Sequence, residues 1–305
     1  MALAEKATQR TTLSLGALIE TRHDILKKTP TSVVGGVALP GLRSGPKRGQ
    51  GLEFVDLRQY NDGDDVRHID WNVTARTNQP YTRLYREEKE HTTTVVVDLR
   101  RHMHTGSGSL RSVRAGLQAA RVLWQSLAGG DRVAAIVCTD NDITETRPTA
   151  GPKGVLSACE LIARKFTAPL DATAPMPLQE LLLRLSLHTR QSGRYVVFSG
   201  FDERGGAWQQ RLNTLAAAQR TTAVLTLDRM EHIALPAGRY HYRDQRRRET
   251  SATIDRRTGK SLQQQLQAAT HQIKHSFHHA GVPLIVDYTD TPYEHALHDL
   301  LRGTR

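Results

Sequence analysis

Apolar and polar positions follow two different rhythms along this chain, and the change falls near residue 92. Before it, Leu13, Leu15, Leu18, Ile19, Ile25 and Leu26 recur at helical spacing and stop ahead of Thr29-Pro30, so a helix is expected over 11–28. Residues 31–51, rich in Gly, Pro and basic side chains, read as loop with short extended pieces. From 92 onward, short β-branched runs alternate with amphipathic ones. TTTVVVD at 92–98 is continuous and β-branched, as befits a strand covered on both faces. Further strands are expected at 132–138, 194–200, 221–228 and 282–290, with an edge strand at 143–147. Helices are expected at 109–127, 154–166, 177–188, 207–219, 261–280 and 292–302. Arg239 to Arg257 reads as a basic hairpin insertion. The alternation predicts an α/β fold, with a mostly parallel, doubly wound sheet carrying helices on both faces. The expected division is an N-terminal helical and extended segment, 1–90, packed on a main domain, 91–305, that carries the hairpin at 239–257.

Between the first helix and residue 92 lies a dense mixture of both charges: Glu53, Arg58, Asp62, Asp64, Asp65, Arg67, Asp70 and Arg76, interleaved with Phe54, Tyr60, Ile69 and Trp71. Partly buried carboxylate–guanidinium pairs need such a mixture, because a buried charge must be paired. The expectation is a cross-linked network of Glu53, Arg58, Asp64, Asp65, Arg67, Asp70, Trp71 and Arg76 that staples this segment to the main domain, with the Trp71 ring buried. Catalysis by these carboxylates is the weaker reading, since ion-pair networks commonly produce dense charge. Asp62-Gly63 suits a tight turn.

The composition narrows the function classes. The formal net charge of +11 permits attraction to nucleic acid, to anionic lipid or to an acidic protein. Aromatic residues make up 5%, which leaves little material for stacking on bases, and no helix-turn-helix, zinc-finger or RNA-recognition pattern is visible. Nucleic-acid binding is therefore a minority expectation. Cys138 and Cys159 sit in apolar contexts and read as reduced, buried thiols. No apolar run reaches the length of a membrane-spanning helix, and no signal-peptide core is seen. The expectation is a cytoplasmic protein, soluble or peripheral to a membrane.

Gly49 to Arg76 reads GQGLEFVDLRQYNDGDDVRHIDWNVTAR. This run resembles the DUF58 family, and the resemblance extends through DRMEH at 228–232, LPAGRYHYRD at 235–244 and HHAGVPLIVDYTD at 278–290. It implies a von Willebrand factor type A-like fold and an association with MoxR-type AAA+ ATPases. Type A domains that bind Mg²⁺ do so at an Asp-x-Ser-x-Ser motif after the first strand, where a carboxylate and two hydroxyls supply hard oxygens. Here the motif reads Asp98-Leu99-Arg100-Arg101-His102. Both serine positions are replaced, and a guanidinium repels a divalent cation. In the second loop Gly200 stands where the family tends to have Asp, with Asp202 two residues on. Ser107, Ser109 and Thr149 are other oxygens. Asp98 is thus a degenerate metal position, and the favoured expectation is that it pairs with Arg100 or Arg101 and needs no Mg²⁺.

Other constellations carry less. His271, His275 and His278, with His279 beside them, share one face of a helix, where Zn²⁺ or Ni²⁺ could bridge two; a solvated polar face is the favoured reading. Ser199-Gly200 is not a nucleophile elbow, and residues 151–154 do not make a P-loop. No cofactor and no enzymatic activity are expected. The favoured function is an adaptor or co-chaperone that presents a client protein or membrane-associated complex to a MoxR-type ATPase. The expected docking residues are Arg100, Arg101, His102, His104, Thr149 and Asp202, on a face made by 98–109, 149–153 and 202–204. The alternatives are a Mg²⁺-dependent type A binding module, and a basic surface at 243–257 for nucleic acid or anionic membrane.

Overall fold

The computed structural model describes residues 10–28, 52–87, 91–170, 172, 176–187, 193–202, 207–218, 220–231, 233, 235–243 and 249–293. At 25–28, 52–55, 84–87, 207, 217, 218, 220, 242, 243 and 249 the backbone alone is described. Along the chain the elements run α1 (Leu15–Lys28), β1 (Leu52–Gln59), α2 (Trp71–Thr77), β2 (Tyr81–Glu87), β3 (Thr92–Asp98), α3 (Arg111–Ala128), β4 (Arg132–Cys138), β5 (Ile143–Glu145), α4 (Pro152–Phe166), α5 (Leu178–Leu187), β6 (Gly193–Ser199), α6 (Ala207–Ala218), β7 (Arg220–Leu227), β8 (Gly238–Arg243), β9 (Glu249–Ile254), α7 (Arg256–Ala280) and β10 (Leu284–Tyr288). Short 3₁₀ turns stand at Val66–His68, Arg101–Met103 and Arg229–Glu231.

The chain divides into two compact units, residues 41–90 and the remainder. In the larger unit, six strands form one sheet in the order β10-β7-β6-β3-β4-β5. Every neighbouring pair is parallel except β4 with β5, which is antiparallel. The β-branched run of β3 lies in the middle, so its side chains are covered on both faces. Because successive residues of a strand point to opposite faces, the sheet feeds two cores. Val95, Val97, Val133, Ala135, Val137, Val196 and Phe198 pack with α3 and α4. Val96, Ile136, Tyr195, Val197 and Leu225 pack with α5, α6 and the Ile273–Phe277 side of α7. The expected α/β sheet with helices on both faces is therefore present.

Two boundaries depart from the sequence reading. First, α1 belongs to the larger unit and not with the charged segment. Leu13 and Leu18 are buried in the first core, and Trp124 Nε1 donates to the Leu18 carbonyl at 3.3 Å. Gly116 permits this approach, since a Cβ there would lie 2.4 Å from Leu13 Cδ2. Second, α7 starts at Arg256, where Asp255 caps it by accepting from Thr258 N–H at 2.6 Å. The first turn lacks apolar periodicity, so sequence spacing did not reveal it. The hairpin β8–β9 accordingly ends at Ile254; its tip, 244–248, lies outside the described residues. So does most of the expected helix at 292–302.

The smaller unit is an antiparallel pair, β1 with β2, bulged between Phe54 and Asp56. Its aspartates are caps and turn anchors. Asp64 accepts from Arg58 Nη2 at 2.6 Å and from Asn61 N–H at 3.1 Å. Asp65 points elsewhere, capping the 66–68 turn and pairing with Arg67; hydrogen bonds from the Arg67 side chain and backbone lower its pKa to about 2. Asp70 caps α2 through Asn72 and Val73 N–H and accepts from Arg83 Nε at 2.9 Å. Pairing thus extends to Arg83, which the sequence reading had not named. Arg76 is exposed, and the Glu53 side chain lies outside the described residues. Trp71 does not bury its ring: it is 69% exposed. None of the seven residues of α2 is buried.

Candidate functional site

In an open parallel sheet, the crevice forms outside the carboxyl ends of the strands, where successive connections depart in opposite directions. Here the connection after β3 runs to β4, and β6 lies on the other side of β3. Asp98 ends β3 and Ser199 ends β6, which places both at that point.

Asp98 is fully buried and every oxygen is engaged. Oδ1 accepts from Arg100 N–H at 3.1 Å and from Arg100 Nε at 3.0 Å. Oδ2 accepts from Arg100 Nη2 at 2.8 Å and from Ser199 Oγ at 2.6 Å. Arg100 is itself only 3% exposed, and its Nη1 donates to the Met176 carbonyl at 2.9 Å. His102 Nε2 sits between two carboxylates, 3.3 Å from Asp98 and 3.2 Å from Asp202. Burial opposes ionisation of Asp98, but the charges of His102 and Arg100 hold its carboxyl well below the usual carboxylate range.

Neighbouring pairs extend the network. Arg101 forks onto Asp140 at the end of β4, from its N–H at 2.9 Å and Nε at 2.5 Å. Arg111, at the start of α3 and 4% exposed, donates to Asp202 at 2.5 Å and to Glu231 at 3.0 Å. Burial opposes ionisation of Asp202, and the charges of Arg111 and His102 outweigh it, so its pKa is lowered. Gly200 makes room for this pair: a Cβ there would stand 2.3 Å from Arg111 Nη2 and 3.0 Å from Asp202 Oδ1. Gly200 therefore faces a guanidinium. Phe201 follows with φ +49°, a left-handed conformation that costs a non-glycine residue strain. Its buried ring offsets this by meeting Phe277 edge-on at 4.7 Å. Beside Gly200 opens a cleft of about 320 Å³ lined by Arg111, Asp202, Asp228 and Glu231, with Leu266 and Ile273 of α7 opposite.

The structure corrects part of the expected docking face. Arg100 is inside, bonded on three of its nitrogens, and presents no surface to a partner's carboxylate. Arg101 is 20% exposed and already paired. His104 is turned inward, with Nε2 3.1 Å from the Leu99 carbonyl, and burial lowers its pKa. Thr149 is elsewhere: it exchanges backbone hydrogen bonds with Val133 near the amino end of β4, whereas Asp98 lies level with Cys138. That is about 16 Å away along the strand. Of the remaining oxygens, Ser109 Oγ donates to the Arg10 carbonyl, and Ser107 binds Asp228 through its N–H. His102 and Asp202 do stand at the corner, partly exposed. Arg204 lies outside the described residues.

This donor set does not fit Mg²⁺ at Asp98, because both carboxylate oxygens accept a guanidinium that would repel the ion. Among the described residues, no group of three or more His, Cys, Asp or Glu is arranged to hold a metal. Asp140, Asp228, Arg111 and Glu231 were not foreseen as members of the network. Asp140 and Asp228 follow closely on strand ends, the same signal that singled out Asp98; Arg111 reads as an ordinary helix residue and carries no such signal.

Comparison with known proteins gives three findings. Uncharacterized proteins of Mycobacterium tuberculosis and Mycobacterium bovis are 29% identical over 215 residues, covering 70% of this chain and 65% of each relative. The chain thus spans just under two thirds of the length of the curated relatives it matches. The crystal structure of the conserved hypothetical protein BatB from Bacteroides thetaiotaomicron is 13% identical, with a TM-score of 0.43, covering 70% of this chain and 97% of that one. The profile described as "Protein of unknown function DUF58" matches residues 56–276, and the chain belongs to this family.

Proposed function

We propose that this protein is a non-enzymatic, metal-independent binding adaptor with a type A-like fold, which works with a MoxR-type AAA+ ATPase on a client protein or membrane-associated complex. The Asp98–Arg100 pair carries the reading. A fixed guanidinium stands where a type A module would place its cation, so the corner keeps its shape without an ion. The sheet order, with one antiparallel edge strand, is in keeping with such a fold. The identity of the ATPase partner rests on the family resemblance.

Binding of the full chain to the ATP-loaded MoxR-type ATPase of its host, before and after the chain is stripped of metal with EDTA, tests this. Survival after stripping is expected. Loss after stripping points to a metal-dependent module. No binding in either state removes the ATPase partnership. A second reading, a basic docking surface, is favoured by α7, which contains no Asp or Glu in 25 residues; it predicts binding to anionic vesicles or DNA that collapses as salt rises.

A further inference from the structure

Helix α7 carries Arg256, Arg257, Lys260 and Lys274 and no acidic residue. One side of it is fixed: Ile273 and Phe277 are buried, and Phe277 packs against Phe201 and Trp208. At about 100° per residue, His271, His275, His278 and His279 fall within an arc of about 100° on the opposite side. All four are exposed. His275 and His279, one turn apart, already lie ring to ring, with centroids 6.4 Å apart and planes 28° from parallel.

We propose that His275 and His279 form an open chelate for a borderline divalent cation such as Zn²⁺, Ni²⁺ or Cu²⁺. Residues four apart on a helix are neighbours on its surface. Imidazole nitrogens bind Zn²⁺ at about 2.0–2.1 Å, which two exposed rings reach by rotating about their side-chain bonds. The backbone beneath them is held by Ile273 and Phe277, so little order is lost on binding. Nitrogen donors select these ions over Mg²⁺, which prefers oxygen. Structural zinc sites are closed by four protein ligands. Two imidazoles leave positions open to solvent, where a partner's donor can complete the sphere. This chelate is independent of Asp98.

Calorimetric titration of the full chain with ZnCl₂ and with MgCl₂, and Cu²⁺ electron paramagnetic resonance, test it on H275A, H279A and H278A. Zn²⁺ binding is expected in the wild type, lost in H275A and H279A and retained in H278A, with no heat from Mg²⁺. The Cu²⁺ spectrum should show two equatorial nitrogens in the wild type and one in H275A or H279A. All three positions are exposed, so unchanged circular dichroism will confirm folding. Absence of Zn²⁺ binding, unchanged affinity in H275A or H279A, or a one-nitrogen wild-type spectrum overturns the proposal.

Discussion

Arg100 reaches back two residues to fork onto Asp98, Nε to Oδ1 at 3.0 Å and Nη2 to Oδ2 at 2.8 Å, with both side chains almost wholly buried. Removing one partner of such a pair strands a charge in the interior, which costs about 3–5 kcal/mol. Arg100→Met or Asp98→Leu alone should therefore destabilise the protein by about that amount. Asp98→Leu combined with Arg100→Met should recover most of the loss, since an apolar replacement of a buried pair is often neutral. Urea unfolding of the four proteins in a double-mutant cycle measures the coupling. Additive effects would mean that the two residues act independently.

The same pair sets a pH dependence. Asp98 is held well below its ordinary pKa in the folded protein, and Asp202 and Asp228 are lowered as well. Their contribution is present above the unfolded carboxylate value of about 4 and is lost as pH falls through the folded value. Stability should drop in acid, and Asp98→Asn should flatten that drop. Unfolding curves collected from neutral pH into acid, with parallel slopes in variant and wild type, would count against Asp98 as a source.

Gly200 is a steric requirement. A methyl group there meets Arg111 Nη2 at 2.3 Å and Cζ at 2.9 Å. The guanidinium is buried and tied to Asp202 and Glu231, so it cannot swing away freely. Gly200→Ala should cost about 1–3 kcal/mol, the usual range for overpacking. A melting temperature equal to that of the wild type would show that Arg111 relocates without penalty.

Both cysteines should be silent in the native state. Burial raises the Cys138 thiol far above its usual range and pushes Cys159 up to about 12. Only the thiolate is nucleophilic. A chromogenic disulfide reagent at mildly alkaline pH should label neither residue until denaturant is added. Prompt labelling of the folded protein would contradict the burial.

Trp71 differs from the other two tryptophans. Trp124 and Trp208 are 6% and 3% exposed, against 69% for Trp71. Acrylamide should quench one fraction of the fluorescence readily, and Trp71→Ala should remove that fraction. Stability should move by no more than about 0.5 kcal/mol, as for other surface substitutions.

Much of the fold was legible because burial on both faces imposes a simple rule. The runs at 92–98, 132–138 and 194–199 are apolar or β-branched almost throughout, and each became a strand covered by helices on two sides. The start of α7 was hidden because a solvent-facing first turn needs no apolar spacing. Trp71 departs for a related reason: an indole is usually buried, but none of the seven residues of α2 is. Thr149 was assigned to the wrong end of the sheet because distance along the chain does not report which end of β4 a returning segment meets.

By itself the sequence determined the strand and helix alternation and the pairing need of the charges that follow Asp98, because periodicity and charge balance are local properties. Tertiary structure alone decided which charges distant in sequence meet. Arg111 joins Asp202 and Glu231 across 91 and 120 residues. Arg114 is buried against Asp287 across 173. A buried ion accepts whichever counter-ion the packing of α3 and the strand ends delivers to it, and that delivery is written in the topology of the sheet, not in residue spacing.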